Sequence, residues 1–282
     1  MSLSVKPIEI TKVSEGGSKV IPDLMAVEEP LEIRIGYGAL GERQQKSLSV
    51  TMRTPGHDYE LAIGFLFTEG IIDAYDQVEL IKYCEDAGRQ EERENVVRIE
   101  LKPGVNFDLS KLQRNFYTSS SCGVCGKSSI EAVHVTCTQI QDNINIERKV
   151  IHGLSDKLRD AQQIFEHTGG LHAVGLFDLS GKLLLTREDV GRHNAMDKIV
   201  GACLFKNVIP LSKTILLVSG RASFELVQKG LRAGVPIMAA VGAPSSLAVT
   251  LAKDLGMTLL GFVRGGSFNI YCGAQRIDSK RL

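Results

Sequence analysis

The chain has 282 residues, 43% hydrophobic and 23% charged, which is typical of a globular protein with one large or two modest domains. Thirty-three basic and thirty-three acidic residues cancel, so no overall field favours nucleic acid or an anionic membrane. Residues 1–19 lack the apolar core of a signal peptide, and the uncharged stretch 233–252 is interrupted by Pro236, Gly242 and Pro244. We therefore predict a cytoplasmic protein with no membrane span, whose cysteines stay reduced unless they have a task.

The N-terminal part predicts a mixed α/β domain. Alternating apolar residues predict four strands and one stretch has helical spacing. The strands are at 31–35, 47–53, 78–83 and 95–101, and the helix is at 58–67. A charged run at 85–94 predicts a solvated loop.

The C-terminal part predicts alternating helices and strands. A helix at 154–167 precedes a hairpin of strands 173–177 and 183–186. Helices then follow at 190–205, 222–232 and 245–255, each succeeded by a strand, at 214–218, 236–241 and 258–263. This order predicts right-handed crossovers and a largely parallel sheet between two helix layers.

The same order of elements is found in the cytidine-deaminase-like fold. Zinc deaminases bind their metal through His/Cys-x-Glu at one helix start and Pro-Cys-x-x-Cys at the next. Here the corresponding helix starts read Gly-Arg-His-Asn at 191–194 and Ser-Gly-Arg-Ala-Ser at 219–223. We therefore predict an α/β protein with a cytidine-deaminase-like three-layer domain at 151–282 and a smaller mixed α/β domain at 1–118, without deaminase chemistry. Residues 119–150 would form a mobile loop and connector.

The pair Cys122 and Cys125 lies in a stretch rich in serine and glycine, which predicts an exposed loop. Ser128 and Glu131 have capping-box spacing, so a short helix is expected to begin just after the pair. A helix N-terminus and Lys127 would both stabilise a thiolate over a thiol. The spacing therefore predicts a nucleophilic cysteine on a mobile arm.

The pair has three other interpretations. A zinc site could combine Cys122 and Cys125 with His134 and Cys137. A thioredoxin-type dithiol would need an apolar strand directly before the pair, and no such strand is evident. A structural disulfide is disfavoured by a reducing compartment.

Four glycine-rich or basic loops are expected to gather at one edge of the C-terminal sheet. They are residues 188–194, 219–223, 242–246 and 262–267. Open α/β sheets bind ligands beyond the carboxyl ends of their strands, and free N–H groups at helix starts favour phosphate. Arg192, Arg221 and Arg264 could add charge-assisted hydrogen bonds. His193 could contact the same ligand or be an internally bonded helix-start histidine. Together the loops favour an anionic, nucleotide-like ligand.

Five motifs taken together resemble one family. They read Ser-Cys-Gly-Val-Cys-Gly at 121–126, Thr-Gly-Gly-Leu-His-Ala at 168–173, Glu-Asp-Val-Gly-Arg-His-Asn-Ala-Met-Asp-Lys at 188–198, Ser-Gly-Arg-Ala-Ser-Phe-Glu at 219–225 and Gly-Phe-Val-Arg-Gly-Gly at 261–266. In this order they are similar to the formate dehydrogenase accessory sulfurtransferase family, FdhD. The similarity extends from about residue 60 to residue 271.

The resemblance implies a sulfurtransferase. Such proteins accept persulfide sulfur from a cysteine desulfurase and pass it to the bis(molybdopterin guanine dinucleotide) molybdenum cofactor before its insertion into apo formate dehydrogenase. The persulfide cysteine corresponds to Cys122, with Cys125 as an assisting or resolving thiol. The family also implies a homodimer. Two alternatives are a non-catalytic chaperone for the cofactor and a zinc-binding module.

The resemblance also implies where the cofactor binds. The cofactor segment corresponds to six residues, and His193 and Arg221 would complete the pocket. The six are Phe262, Val263, Arg264, Gly265, Gly266 and Ser267. Some relatives carry Lys-Pro-Gly where this chain has Arg264, Gly265 and Gly266. A cation is kept at the first position, and the segment is expected to be more flexible.

Overall fold

The computed structural model describes residues 4–84, 94–105 and 137–278. A hairpin of β1 (Val5–Ser14) and β2 (Gly17–Ala26) comes first. A four-stranded sheet follows, in the order β4-β3-β6-β5. Its strands are β3 (Glu29–Tyr37), β4 (Gln44–Arg53), β5 (Val78–Tyr83) and β6 (Val96–Leu101), and helix α1 (Asp58–Thr68) lies between β4 and β5 in the chain. The predicted strands and helix of the N-terminal part are confirmed, whereas the β1–β2 hairpin was not predicted.

The C-terminal part is built on a six-stranded sheet in the order β13-β12-β11-β10-β8-β9. Its strands are β8 (His172–Asp178), β9 (Leu183–Asp189), β10 (Thr214–Val218), β11 (Ile237–Ala240), β12 (Thr258–Arg264) and β13 (Ser267–Cys272). Two short strands, β7 (Ile146–Glu147) and β14 (Ile277–Asp278), pair with each other.

The prediction of a largely parallel sheet is corrected. Only β10, β11 and β12 run parallel, because β8–β9 and β12–β13 are hairpins and β8 pairs antiparallel with β10. The strand predicted at 258–263 is also not the last, since β13 folds back beside it.

Six helices complete the C-terminal part as described. They are α2 (Arg148–His152), α3 (Leu154–Asp160), α4 (Gln163–Thr168), α5 (Arg192–Phe205), α6 (Phe224–Arg232) and α7 (Ser246–Asp254). The single helix predicted at 154–167 is wrong in its continuity, because the chain leaves the helix at Ala161 and Gln162. Gly169 closes α4 with a left-handed φ of 65°, a conformation that glycine adopts at little cost.

The helices cover both faces of the sheet. Within β10, Ile215 and Leu217 belong to one buried cluster together with Leu154 and Leu158 of α3. Alternate residues of the same strand belong to a second cluster with α5, α6 and α7. Since successive side chains of a strand point to opposite faces, the sheet is the middle of three layers.

The second cluster is shared by both parts of the chain. It includes β3, β6 and α1 as well as α5 and the face of the six-stranded sheet that α5, α6 and α7 cover. Helices α1 and α5 cross in close contact: a Cβ on Gly64 would lie 1.9 Å from the Asp197 carbonyl oxygen, and one on Gly201 would lie 1.9 Å from that of Glu60. The domain boundaries at 118 and 150 stay a prediction, and residue 118 lies outside the described ranges.

Candidate functional site

The carboxyl ends of β10 and β11 form one edge of the six-stranded sheet, where each strand leads through a short loop into a helix. The two loops are locked side by side. Ala222 and Pro244 form a parallel bridge, Gly242 N–H donates to the Gly220 carbonyl at 2.9 Å, and Ser245 N–H donates to that of Ala222 at 3.0 Å. This is the edge at which open α/β sheets bind ligands.

The start of α5 reaches the same edge. The Nε2 atom of His193 lies 3.2 Å from Ser223 Oγ and 3.8 Å from a carboxylate oxygen of Glu225. His172 begins β8 beside the loop after β10, since a Cβ on Gly220 would lie 3.5 Å from its Nδ1 atom. The predicted gathering of these three loops is therefore confirmed, with two side chains, His172 and Glu225, that were not predicted as site residues.

The fourth loop touches this edge only at its beginning. Phe262 has a left-handed φ of 54°, and its N–H donates to the Gly242 carbonyl at 3.1 Å. The chain then forms the tight turn between β12 and β13, with φ of 58° at Gly265 and 72° at Gly266, and Arg264 pairs with Ser267. The Val263 side chain is fully buried on the face of the sheet that packs against α3, so it belongs to the core.

Both histidines are held neutral at this edge. Burial is the main cause that lowers the pKa of His193 to about 4, and Lys229 and Arg192 act in the same direction. Burial and Arg192 also lower the pKa of His172. At neutral pH each ring can therefore donate and accept hydrogen bonds without carrying charge.

Hydrogen-bond donors are in excess around these rings. The Nε atom of Arg192 is buried and has no hydrogen-bond partner within the described ranges. The backbone N–H groups of Gly220 and Arg221 likewise find no acceptor in that part of the chain. Buried or clustered donors of this kind are usually satisfied, and a concave run of N–H groups binds anions. Since the Arg221 side chain is exposed nearby, the arrangement suits an anionic group.

Much of the motif at 188–198 has a structural role. The Asp189 carboxylate is buried, lies 2.7 Å from Lys198 Nζ, and accepts hydrogen bonds from Gly191 N–H and Asn194 Nδ2, each at 2.9 Å. It also accepts from the N–H of Thr54 at 3.2 Å, just beyond β4. These bonds fix the start of α5, and with it Arg192 and His193, against the N-terminal sheet.

A second buried cluster lies one helical turn further along α5 and α6. Lys229 Nζ donates to both Asp197 carboxylate oxygens at 2.9 and 3.0 Å, to Thr68 Oγ1 at 2.7 Å and to Glu69 at 3.1 Å. Burial lowers the pKa of Lys229, but Asp197 and Glu69 more than reverse this and leave it raised. Burial raises the pKa of Asp197 to about 6 despite the lysine. The cluster connects α1, α5 and α6 directly behind His193.

Three residues of the predicted cysteine site, Cys122, Cys125 and His134, lie outside the described residues. Cys137 is described. Its Sγ lies 3.7 Å from the Gln228 carbonyl of α6, packed against the core. No cluster of metal-binding side chains occurs in the part of the chain that the structure describes, and the four-residue zinc site stays a prediction.

Comparison with known proteins identifies the family. The model of the FdhD/NarQ family matches residues 26–278. The chain belongs to the FdhD/NarQ family. Among relatives of this family, the "Sulfur carrier protein FdhD" of Streptomyces avermitilis is 48% identical over 273 residues, covering 95% of this chain and 94% of that one.

More distant FdhD/NarQ relatives align over the whole length. The protein of the same description from Saccharolobus solfataricus is 39% identical over 277 residues, covering 98% of this chain and 100% of that one. A crystal structure described as a formate dehydrogenase accessory protein, from Desulfotalea psychrophila, superposes with a TM-score of 0.75 at 22% identity, covering 98% of this chain and 100% of that one. At this identity the superposition shows a shared fold.

Proposed function

We propose that this protein carries sulfur as a cysteine persulfide on Cys122 and delivers it to the bis(molybdopterin guanine dinucleotide) molybdenum cofactor for use by formate dehydrogenase. The observation that carries the proposal is the 48% identity, over 95% of the chain, to a protein described as a sulfur carrier. The sheet edge supports delivery to this cofactor, because Arg192 and the N–H groups that lack acceptors in the described ranges suit the diphosphates of such a cargo.

Loading is a thiol exchange. The Cys122 thiolate attacks the outer sulfur of the desulfurase persulfide, the S–S bond of the desulfurase breaks, and its cysteine leaves as a thiolate. Release of that sulfur as sulfide takes two electrons. Attack of the Cys125 thiolate on the inner sulfur of the persulfide supplies them, forming a Cys122–Cys125 disulfide that a cellular dithiol must then reduce.

The molybdenum cofactor is the substrate of this reaction. In the proposed site, His193, Arg221 and the segment from Phe262 to Ser267 contact it, except for the Val263 side chain, which is buried in the core. His172 and Arg192 extend the same edge. Arg264 and Arg221 are exposed, so both guanidinium groups are accessible to phosphate.

The proposed setting is the cytoplasm, where thiols stay reduced, with a cysteine desulfurase and apo formate dehydrogenase as protein partners and a homodimer as the working form. We further propose that the three-layer part is cytidine-deaminase-like and that residues 119–150 carry the reactive loop between the two domains. In the described ranges, no helix combines the length and the apolarity needed to cross a membrane.

Transfer of labelled sulfur tests the proposal. Incubation with a cysteine desulfurase and ³⁵S-cysteine, analysed without reductant, should label the wild-type protein and not the Cys122→Ala variant. Cys84→Ala, which removes a half-buried thiol after β5, is the matched control and should label like the wild type.

Other outcomes favour the alternatives. A protein that binds the cofactor but never acquires label acts as a non-catalytic chaperone. Full labelling of Cys122→Ala would also reject Cys122 as the carrier. Stoichiometric zinc in protein purified without added metal, lost on replacing Cys137, would instead support the zinc-binding module.

A further inference from the structure

We propose that the β1–β2 hairpin is a docking arm for a protein whose surface places acidic side chains beside an apolar groove. The inference rests on the proposed function for the identity of that protein. It is the apo formate dehydrogenase, which has to approach the sheet edge in order to receive the cofactor. The arm holds the two proteins together during this transfer.

The arm is exposed on both faces. Strands β1 and β2 are ten residues long each, so the arm is about 30 Å in length. Within the described ranges the two strands pair only with each other, and neither contains a buried residue. A two-stranded hairpin by itself is at best marginally stable in water. A partner that covers the arm is therefore favoured.

One face of the arm is apolar. Side chains directly opposite each other in the register share a face. On this face Val13 is 74% exposed and Val20 is 65% exposed, and Pro22 and Leu24 continue the row along β2. Glu9 is the only charged residue of the face. Adjoining exposed apolar side chains of this kind mark protein–protein contacts.

The opposite face of the arm is basic. Lys12 of β1 lies directly opposite Lys19 of β2, and Lys6 lies on the same face nearer the base. All three are exposed, Asp23 is the only acidic residue of the face, and Glu15 lies in the turn. Like charges directly opposite each other destabilise a strand pair. An acidic surface relieves this repulsion, whereas the same face of a second copy would increase it.

The base of the arm lies beside the sheet edge that the proposed function assigns to the cofactor. Val27 N–H donates to the Ser4 carbonyl at 2.9 Å, and Ser4 Oγ donates to the Pro55 carbonyl at 2.8 Å. The preceding residue, Thr54, accepts a hydrogen bond from Val190 N–H at 3.2 Å, just before α5. Strand β2 also runs beside α4, which leads to β8 at the same edge. A protein bound to the arm therefore lies next to the cofactor, as the receiving enzyme must.

Charge reversal near the tip tests the basic face. Binding of apo formate dehydrogenase from the same organism to the full-length protein is measured by biolayer interferometry at low and at high salt. Lys12→Glu/Lys19→Glu should weaken binding about 10-fold or more at low salt and less at high salt, because salt screens exposed charges. The two glutamates repel each other in the free arm as the two lysines do, so the stability of the arm itself changes little.

A matched control separates this local effect from the change in net charge. Lys206→Glu/Lys213→Glu makes the same change in net charge at two exposed residues, one just after α5 and one just before β10. Both lie at the opposite ends of these elements from the sheet edge. This variant should weaken binding far less than Lys12→Glu/Lys19→Glu does.

Replacement of exposed valines tests the apolar face. Val13→Thr/Val20→Thr keeps the strand propensity of valine and replaces one methyl group of each side chain by a hydroxyl. It should weaken binding about 10-fold at both salt concentrations, because burial of apolar area does not depend on charge screening. Val208→Thr, at a residue that is 51% exposed after α5, is the control and should bind like the wild type.

The proposal is overturned if Lys12→Glu/Lys19→Glu binds like its control, or if the wild type does not bind apo formate dehydrogenase. Two further results would also overturn it. A homodimer that dissociates in Val13→Thr/Val20→Thr, as measured by light scattering, would assign the arm to a second copy. Binding to phosphatidylglycerol vesicles that Lys12→Glu/Lys19→Glu loses, with enzyme binding intact, would assign it to a membrane surface.

Failure of this inference is distinct from failure of the proposed function. Every arm variant keeps Cys122 and should acquire labelled sulfur from the desulfurase like the wild type, which also shows that the variant is folded. A wild-type protein that acquires no label would reject the proposed function, whatever the arm binds.

Discussion

The protonation state of His193 follows from its surroundings rather than from its sequence neighbours. The ring faces Arg192 on its own helix, Glu225 and Lys229 on α6, and Glu69 just after α1. Burial dominates over the two carboxylates and lowers the pKa of His193 to about 4. A ring that is neutral in the folded state and protonated in the unfolded state links folding to pH.

The pH dependence of stability should reflect this ring. Between about pH 6.5 and pH 4 the unfolded chain binds a proton on His193 that the folded protein does not, so stability is fully present above pH 6.5 and falls as the pH is lowered. In His193→Gln this contribution is absent. From pH 7 to pH 5, the variant should lose less unfolding free energy than the wild type, by on the order of 1–2 kcal/mol.

Urea unfolding at both pH values measures the difference. Asp197 acts in the opposite direction, because a pKa raised to about 6 makes its contribution decline as the pH rises from 3.8 to 6. Both proteins keep Asp197, so its effect largely cancels in the comparison. Equal losses in wild type and variant would show that folding does not lower the pKa of His193.

Among the individual residues of the site, some could be predicted from the sequence and others could not. His193 and Arg221 were identified because they stand in loops that follow strands. Asp189 stands in the same motif as His193, but its role became clear only from its bond to Lys198 and to Thr54, which is 135 positions away. Glu225 and His172 lie within the quoted motifs, yet only the meeting of α6, α5 and β8 shows that they lie at one edge of the sheet.

Among the contacts between elements, that of α1 with α5 leaves the least room for a larger side chain. Gly64 and Gly201 let the two backbones approach so closely that a methyl group at either position would overlap a carbonyl oxygen, at 1.9 Å. The same contact aligns α5, whose first turn carries Arg192 and His193. The distance between these helices therefore sets the position of Arg192 and His193 at the sheet edge.

Replacement of Gly64 by alanine should destabilise the protein despite the higher helix propensity of alanine, which alone would add about 0.5–1 kcal/mol. Overpacking against a backbone cannot be relieved by a rotamer change and typically costs about 1–3 kcal/mol or more. A net loss of about 2 kcal/mol is expected by urea unfolding.

Gly230→Ala provides the matched comparison. It is also a buried helical glycine, but an added Cβ would meet the flexible end of Met238, at 2.5 Å, instead of a backbone atom. Because methionine adapts readily, this variant should stay within about 1 kcal/mol of the wild type. Equal effects of the two substitutions would contradict the close α1–α5 contact.

Most elements could be predicted because their patterns are strong. Strand β10 is buried at all five residues and was located with its correct bounds. The β1–β2 hairpin was missed, since nearly all its residues are exposed and apolar and polar side chains alternate without a buried face. Strand β13 was missed for a similar reason: it is an edge strand with mostly exposed side chains.

At the scale of the whole molecule, one of the two buried clusters is continuous across both parts of the chain behind the site. Buried residues of the N-terminal sheet and of α1 belong to the same cluster as α5, α6 and one face of the six-stranded sheet. The buried bonds of Asp189 and Lys198 to Thr54 add polar connections across the same contact. The two predicted domains are therefore expected to unfold together, even though the sequence divides them.

Thermal unfolding should accordingly show one transition. If both parts unfold together, the calorimetric enthalpy should equal the van't Hoff enthalpy under reversible conditions. Near-ultraviolet circular dichroism, to which most tyrosines contribute from the N-terminal part, should have the same midpoint as the far-ultraviolet signal. Two resolved heat-absorption peaks would show that the parts unfold independently.

The tight turn at Gly265 and Gly266 constrains how this family can diverge. Proline is restricted to φ near −65°, whereas Gly265 has φ of 58°. A chain with Lys-Pro-Gly at this place must therefore turn differently between the equivalents of β12 and β13. Replacement of Gly265 by proline alone would put the new residue on a backbone path that it cannot adopt, so a change from one form to the other requires a different turn between the strands as well.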